Sequence, residues 1–111
     1  MAQKQARHTA AFLLLFLAEA PAYGHQLLIR MQTDLPFFLA DSPGIYRSLQ
    51  EIEEKGWAQT RWDTEGPGQP RKWYYLTPEG TDALTGYAED IKKRQANFEF
   101  FLNSFQRLSL G

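Results

Sequence analysis

The order of signals between residues 42 and 80 constrains the fold of this chain more than any other feature. A helix start signal at Ser42-Pro43 opens an amphipathic segment. Two strand-forming segments follow, separated by residues 66–70, whose glycines and prolines can only form a loop. A second helix start, with a capping residue, a proline and an acid in its first turn, is then found at Thr77-Pro78-Glu79-Gly80. This order of helix, hairpin and helix predicts the second half of a winged helix-turn-helix.

The preceding residues supply the two helices that such a fold needs first. Residues 9–20 are apolar almost all round, as is typical of a buried helix, and Pro21 ends the segment. A second helix follows Gly24, with its apolar residues on one side: Leu27, Leu28, Met31 and Leu35. The sequence therefore predicts a mainly α fold with a small β-hairpin.

Composition limits the classes of protein to consider. The chain has 111 residues, the size of one domain, and no cysteine, which excludes a disulfide framework, a thiolate zinc site and a cysteine nucleophile. Its two histidines, His8 and His25, stand on separate segments without an acidic partner at a recognisable spacing. The sequence contains no motif of a phosphate-binding loop or of a metal site. We therefore expect a protein that is not an enzyme and has no cofactor or metal.

The N-terminal apolar run bears on where the protein resides. This run, residues 10–18, is shorter than the ~20 residues that span a bilayer. Lys4 and Arg7 before it imitate a secretory signal, but no polar, turn-forming cleavage region follows. We therefore expect a cytoplasmic protein without a membrane partner.

The distribution of charge matters more than its sum. The net charge of −1 is low for a nucleic-acid-binding domain, many of which are strongly basic. Cations nevertheless occur on the N-terminal arm, the third helix and the hairpin: Lys4, Arg7, Arg47, Arg61, Arg71 and Lys72. The acidic residues gather at the end of the third helix and on the last helix. This pattern permits phosphate contacts and predicts weak non-specific affinity.

The third helix has the pattern of a recognition helix. Ser42 is its predicted N-cap, and one side is turned towards the core by the spacing of Ile45, Leu49 and Ile52. The opposite side presents Arg47 and Gln50 to base edges. The free backbone N–H groups at the start of the helix, including those of Ser42 and Gly44, are predicted to meet a phosphate.

The hairpin mixes aromatic and basic residues. Its predicted strands are residues 57–64 and 71–77, and we expect Trp62, Trp73 and Tyr75 to form its packing face. The predicted DNA contacts of the wing are Gln69, Arg71 and Lys72. Aromatic residues interleaved with cations also occur where proteins stack on single-stranded nucleic acid, which is a second interpretation of this segment.

The last helix is predicted to run to about Leu108, roughly 45 Å at 1.5 Å per residue. Its apolar residues recur at three- and four-residue steps, with Arg94 as the one gap: Leu84, Tyr87, Ile91, Phe98, Phe101, Phe105 and Leu108. The outer half of this seam has nothing left in the chain to pack on. It therefore predicts a homodimer, whose symmetry suits a palindromic operator. At Gly86 the helix can kink or break.

These expectations divide the chain into a winged helix-turn-helix DNA-binding domain, residues 1–77, and a C-terminal dimerisation helix, residues 78–111. The whole resembles the PadR family of bacterial transcriptional regulators over essentially residues 10 to 108. The resemblance rests on an ordered set of short motifs: Tyr23-Gly24, Ser42-Pro43-Gly44-Ile45-Tyr46, Leu49-Gln-Glu-Ile52-Glu53, Gly56, Arg61-Trp62, the strand from Arg71 to Tyr75, and Leu76-Thr77-Pro78-Glu79-Gly80.

The resemblance carries functional implications. The chain is similar to the small members of the family, which have one helix after the wing, and this implies a dimeric repressor released by a small molecule or a stress signal. Tyr46 is similar to a recognition-helix tyrosine that commonly reaches the DNA backbone. Some small multidrug-sensing relatives stack drugs on a tryptophan of the last helix, where this chain has Ile91. The wing from Trp62 to Arg71 resembles that of poly-β-hydroxybutyrate-responsive repressors. These two resemblances point to different ligands, so the identity of the effector is left open.

Two functions follow from these observations. The first is sequence-specific binding of double-stranded DNA by a transcriptional regulator. The alternative is a winged-helix adaptor that binds another protein through its wing or through Phe37-Phe38. Charge geometry separates them, because a shared face of Lys4, Arg7, Arg47, Arg71 and Lys72 favours DNA, whereas dominance of that face by Glu51 and Glu54 favours the adaptor.

Overall fold

The computed structural model describes residues 8–37, 41–108 and 110. Within these residues the elements are, in chain order, α1 (Thr9–Glu19), β1 (Ala22–Tyr23), α2 (Gly24–Asp34), α3 (Ser42–Glu54), β2 (Ala58–Asp63), β3 (Arg71–Leu76) and α4 (Pro78–Arg107). Helices α2 and α3 form a helix-turn-helix, and the hairpin of β2 and β3 forms its wing. The fold is therefore a winged helix-turn-helix followed by a long C-terminal helix, as the sequence predicts.

The wing belongs to a three-stranded antiparallel sheet of order β1-β3-β2. Strands β2 and β3 pair from Ala58 opposite Leu76 to Asp63 opposite Arg71. The sequence does not predict the third strand, β1, because two residues carry no recognisable periodicity. It pairs with the middle of β3 and so ties the connection between α1 and α2 to the wing. A third strand matters since a two-stranded hairpin alone is marginally stable.

The core lies between α1, α2, α3 and the inner face of the sheet. Its largest fully buried side chains are Leu13, Leu14, Leu27, Met31, Ile45, Leu49 and Ile52. The predicted inward-facing residues of α3 all belong to this set, which confirms the predicted rotation of this helix about its axis. Helix α1 is buried over most of its circumference, as its composition predicts, with Leu15 as its large exposed apolar residue.

Of the two predicted helix starts, one has a different N-cap residue and the other is as predicted. The N-cap of α3 is Asp41 instead of Ser42, because the Asp41 Oδ1 atom accepts a hydrogen bond from the Gly44 N–H at 2.9 Å. A carboxylate caps as well as a hydroxyl and also interacts favourably with the helix dipole. In α4 the predicted cap is confirmed, since the Thr77 Oγ1 atom accepts from the Gly80 N–H at 3.0 Å.

The first turn of α4 closely approaches Trp57, in the connection between α3 and β2. Gly80 is buried, and a Cβ atom there would lie 2.6 Å from the Leu76 Cδ1 atom and would overlap the Trp57 carbonyl oxygen. The Thr77 N–H donates to that same carbonyl oxygen at 3.1 Å. A side chain at position 80 would therefore push α4 away from the body of the domain.

We expect Gly80→Ala to lower the free energy of unfolding by about 1–3 kcal/mol, the usual cost of overpacking. Gly86→Ala is the matched control, because its Cβ position is open and alanine should stabilise the helix interior by roughly 0.5–1 kcal/mol. Urea denaturation followed by circular dichroism measures both variants. Equal stabilities would contradict the close approach at Gly80.

The packing face of the wing differs from the predicted one. Tyr74 turns towards the helices and is buried. Trp73 and Tyr75 are its neighbours along the strand, so they lie on the opposite face and are only half-buried. Trp62 pairs with Lys72 on the inner face but is 61% exposed. The prediction that Trp62, Trp73 and Tyr75 form one packing face was wrong, because the hairpin register places Trp62 on the other side of the sheet.

Helix α4 is continuous through Gly86. The predicted seam along it has two parts, which differ in what covers them. Leu84 and Tyr87 pack on the core of their own chain, and the Tyr87 ring meets Trp57 edge-on with 6.2 Å between ring centroids. The second half of the helix carries a row of large exposed apolar side chains: Phe98, Phe101, Leu102, Phe105 and Leu108. The outer half of the seam is therefore uncovered, as predicted, whereas the first two members of the seam serve the core.

Candidate nucleic-acid interface

The outer face of α3 presents an exposed cation beside an exposed amide, Arg47 and Gln50. Among the residues that the structure describes, Arg47 makes no ion pair and no side-chain hydrogen bond. The Gln50 Nε2 atom lies 3.5 Å from the Glu54 Oε2 atom, which is a weak contact. Both side chains can therefore reach a ligand without losing a strong internal interaction.

Tyr46 lies where the two helices of the helix-turn-helix meet. Its ring packs over Gly24 at the start of α2, and a Cβ atom on Gly24 would lie 2.7 Å from the Tyr46 Cε1 atom. The tyrosine is nevertheless 44% exposed. It therefore combines a structural contact between α2 and α3 with an accessible edge next to Arg47.

The N-terminus of α3 is less open to a phosphate than the sequence suggested. The Gly44 N–H donates to the Asp41 carboxylate, and the Ile45 N–H donates to the Asp41 carbonyl oxygen at 3.1 Å. Gly44 is also buried. This donor is used within the chain and a carboxylate lies beside it, and the predicted contact of Gly44 with a phosphate stays a prediction. Ser42 is half-buried at the same end of the helix, and its DNA contact stays a prediction.

The turn of the wing exposes Gln69 and Arg71. Gly66 and Gly68 both have a φ of 92°, in the left-handed region that glycine adopts readily, and this allows the chain to reverse. The Arg71 guanidinium lies 4.8 Å from the centroid of the Tyr23 ring, so it rests on β1, and it makes no ion pair with another described residue. The tip of the wing thus keeps an available cation.

Lys72, the neighbouring cation, has an internal partner. Its Nζ atom lies 2.7 Å from the Glu53 Oε1 atom, and the Glu53 Oε2 atom accepts a hydrogen bond from the Thr60 Oγ1 atom at 2.8 Å. The bond to Glu53 raises the pKa of Lys72, and the bonds from Lys72 and Thr60 lower the pKa of the Glu53 carboxyl. The sequence does not predict this contact, because only the hairpin register brings Lys72 to Glu53. In the sequence, Glu53 is one of several clustered acids and nothing distinguishes it from its neighbours.

The other two acids at the end of α3, Glu51 and Glu54, are both exposed. Glu54 lies beside Gln50, on the side of Arg47. Glu51 is four residues after Arg47, so it lies one turn further along nearly the same side of the helix. Burial raises the pKa of Tyr87 on α4, and the charge of Glu51 adds a smaller rise. Both carboxylates therefore share the outer half of α3 with Arg47.

A second feature is a groove of about 490 Å³ between the start of α1 and the middle of α4. Its walls include His8, Phe12, Ile91, Arg94, Phe98 and Leu102. At its edge the Arg94 Nε atom donates to the Asp90 Oδ2 atom at 2.8 Å, and the His8 Nε2 atom lies 3.7 Å from the same oxygen. These partners, Arg94 first, lower the pKa of the Asp90 carboxyl. Ile91 and Phe98 of the predicted seam therefore line a groove.

Some predicted residues fall outside the described structure. Lys4, Arg7 and Phe38 belong to the residues that the structure does not describe, so their roles stay predictions. In the described part, no group of three or more histidine, cysteine, aspartate or glutamate residues is arranged to hold a metal ion. The described helices likewise include none with the length and apolar composition that crossing a membrane requires.

The sequence of the chain matches a profile of the transcriptional regulator PadR-like family over residues 13–86, about two thirds of its length. The chain belongs to this family. The matched residues run from α1 through the wing into α4 and so include the whole helix-turn-helix. The resemblance seen in the sequence is thereby confirmed, and this PadR-like chain is a transcriptional regulator.

Solved structures share its fold. A conserved protein described as a potential transcriptional factor is 29% identical, with 94% of this chain and 92% of the other covered and a TM-score of 0.78. A PadR family regulator from hypervirulent Clostridium difficile R20291 is 20% identical over 86% of this chain and 98% of its own, with a TM-score of 0.74. Bacillus subtilis PadR, in complex with operator DNA, is 21% identical over 71% of this chain and 45% of its own, with a TM-score of 0.64. Comparison with curated protein sequences found no significant match.

Proposed function

We propose that this PadR-like regulator is a cytoplasmic, non-enzymatic repressor that binds a palindromic double-stranded operator as a homodimer. A small molecule or a stress signal releases it. The observation that carries the proposal is the outer face of α3, where Arg47 is exposed and has no internal partner among the described residues. The operator complex of Bacillus subtilis PadR, a protein of the same fold, supports it.

In this proposal α3 lies in the major groove. Arg47 and Gln50 contact base edges, because both are exposed on the side opposite the buried face of the helix. Tyr46 and Ser42 lie at the sugar-phosphate backbone, and Gln69 and Arg71 of the wing contact the adjacent backbone. Lys4 and Arg7 add further phosphate contacts from the N-terminal arm. The sequence-specific part of the binding free energy comes from α3, and the wing adds electrostatic attraction that does not depend on the DNA sequence.

We infer that the dimer forms through the uncovered half of α4. Phe98, Phe101 and Phe105 are each at least half exposed in the single chain, and together with Leu108 they form a stripe along one side of the helix. A second copy covers this stripe economically, and two-fold symmetry presents two recognition helices to the two halves of a palindrome.

The groove between α1 and α4 is the proposed place for an effector. Its volume of about 490 Å³ is in the range of small-molecule sites, and it adjoins the proposed dimer contact at Phe98. A ligand there can alter how the two copies are held. Phe12, Ile91 and Phe98 in its walls offer an apolar surface, which favours an apolar ligand.

Binding of the purified protein to the DNA upstream of its own gene tests the proposal. Fluorescence anisotropy is recorded at several salt concentrations with random duplex as competitor. Tight, salt-sensitive and sequence-selective binding supports the repressor, and the same assay then screens for effectors. If the intact dimer does not select its own upstream DNA over random duplex, autoregulation at this site is rejected.

A second candidate function is a protein-binding adaptor, and the exposure of two aromatic residues favours it. Phe37 is 90% exposed after α2, and Trp62 is 61% exposed on the wing. Glu54 adds negative charge on the outer face of α3. An adaptor predicts that substitutions of Phe37 or Trp62 abolish partner binding, whereas substitution of Arg47 has no effect.

We expect Arg71→Ala to weaken binding to operator and random duplex by a similar factor, because a phosphate contact carries no base information. The slope of log K against log salt should become shallower by about 0.9 for each phosphate that Arg71 neutralises in the wild type. Arg107→Ala is the matched control, since Arg107 is an exposed arginine at the far end of α4. Weaker binding to the operator alone would assign Arg71 to base reading instead.

A further inference from the structure

The wing is attached to α3 by charge-assisted hydrogen bonds that converge on one residue. The Glu53 carboxylate accepts from Thr60 on β2 through one oxygen and from Lys72 on β3 through the other, at 2.8 Å and 2.7 Å. A single side chain of the recognition helix therefore spans both strands of the wing. Bonds to an ionised carboxylate are shorter and stronger than bonds between neutral groups. This contact is thus well suited to set the position of the wing relative to α3.

The same contact alters which cations of the wing are available. Lys72 and Arg71 are neighbours on β3, but they lie on opposite faces of the strand. Lys72 is about one-third exposed and bound to a carboxylate of similar exposure, so the pair carries little net charge. Arg71 rests on the Tyr23 ring and keeps its full charge. The contact therefore separates a free cation from one that is already neutralised.

Building on the proposed DNA-binding function, we propose that Glu53 is a positioning residue that fixes the wing on α3 and withholds the Lys72 ammonium from the DNA backbone. Lys72 then contributes to the geometry of the interface and not to counterion release. Removal of the carboxylate frees one ammonium for a phosphate contact that is independent of sequence. It also loosens the wing, so the preference for the operator over random DNA falls.

A cycle of three variants tests this arrangement: Glu53→Gln, Lys72→Met and the double variant. Glu53→Gln should steepen the slope of log K against log salt by about 0.9 for each phosphate newly contacted. It should also reduce the ratio of operator affinity to random-duplex affinity. Lys72→Met should keep the wild-type salt slope, and the double variant should return to it. A shallower slope in Lys72→Met would overturn the proposal, as would a steep slope in the double variant.

Glu54→Gln is the matched control for charge. It removes one carboxylate at the next position of the same helix, where no lysine is bound among the described residues. We expect its salt slope to equal that of the wild type. A slope as steep as that of Glu53→Gln would attribute the effect to the removed negative charge and would reject the release of Lys72.

A measurement without DNA separates the failure of this proposal from the failure of the proposed function. Brief acetylation with acetic anhydride, read by mass spectrometry, should modify Lys72 more slowly than the exposed Lys92 and Lys93 of α4. In folded Glu53→Gln protein, verified by circular dichroism, the rate at Lys72 should rise to that of the other two. Fast modification of Lys72 in the wild type would contradict the contact itself. Slow modification together with an absence of any DNA binding would uphold the contact and reject the DNA-binding function.

Discussion

Phe101→Asp is expected to convert the protein from a dimer to a monomer and to abolish selective operator binding. The Phe101 ring is 63% exposed in the single chain and stacks on Phe105 with 6.4 Å between ring centroids, in the middle of the uncovered stripe. Removal of a buried aromatic side chain costs about 3–5 kcal/mol in a packed core. A two-fold dimer suffers this cost twice, so the dissociation constant should rise by at least about four orders of magnitude.

Size-exclusion chromatography with light scattering measures the mass of Phe101→Asp. Phe100→Asp is a matched control, because Phe100 is the adjacent residue, is 72% exposed and lies about 100° around the helix from Phe101. It introduces the same charge into the same helix but on the side away from the stripe, so we expect it to stay dimeric. A mass of two chains for Phe101→Asp would reject the predicted seam.

In the proposed dimer, geometry determines selectivity. A monomer carries one recognition helix and reads one half-site, whereas two copies joined through α4 read both halves at a fixed separation. Phe101→Asp should therefore lose selective affinity much more than it loses weak binding to random duplex. Fluorescence anisotropy with operator and random duplex, recorded on the same variant, checks whether selective DNA binding depends on the apolar stripe of α4.

The parts of the fold that the sequence predicts well are those whose signals are local. The rotation of α3 follows from residues three and four apart, so Ile45, Leu49 and Ile52 are placed correctly. The cap at Thr77 and the adjoining proline likewise determine the start of α4. Such signals act within one or two helical turns and do not depend on what the rest of the chain does.

The features that the sequence does not predict depend on long-range register. A seven-residue connection joins β2 to β3, which is too long for the turn to set the pairing of the strands. The side of the sheet on which Trp62 lies is therefore not predictable, and neither is the proximity of Lys72 to Glu53. The predicted role of Lys72 in DNA contact rests on its charge alone. Its internal partner is nineteen positions away in the sequence.

The seam on α4 combines both cases. Its periodicity is local, and the sequence predicts the helix and its apolar side correctly. The chain covers only the part of that apolar side that the rest of the domain reaches along α4. The sequence pattern therefore assigns Leu84 and Tyr87 to the dimer although they pack on their own core, whereas Phe98 and the residues beyond it are uncovered.

Arg47→Ala is expected to reduce operator affinity by roughly 5- to 150-fold, or about 1–3 kcal/mol, if the guanidinium makes a bidentate contact with guanine. The side chain is exposed and makes no ion pair or hydrogen bond to another described residue, so its removal should leave the stability of the fold unchanged. A fall in operator affinity can then be assigned to the interface. Binding to random duplex should weaken much less.

Modified operators make this test specific. A guanine contacted at N7 and O6 by Arg47 is identified by replacing the guanines one at a time with 7-deazaguanine. At the contacted position, the replacement should weaken the wild type and have little further effect on Arg47→Ala, since interacting partners are not additive. Lys92→Ala is the control, because it removes one exposed cation from α4. If every 7-deazaguanine weakens Arg47→Ala as much as it weakens the wild type, Arg47 does not read a guanine N7, and its role reduces to phosphate attraction.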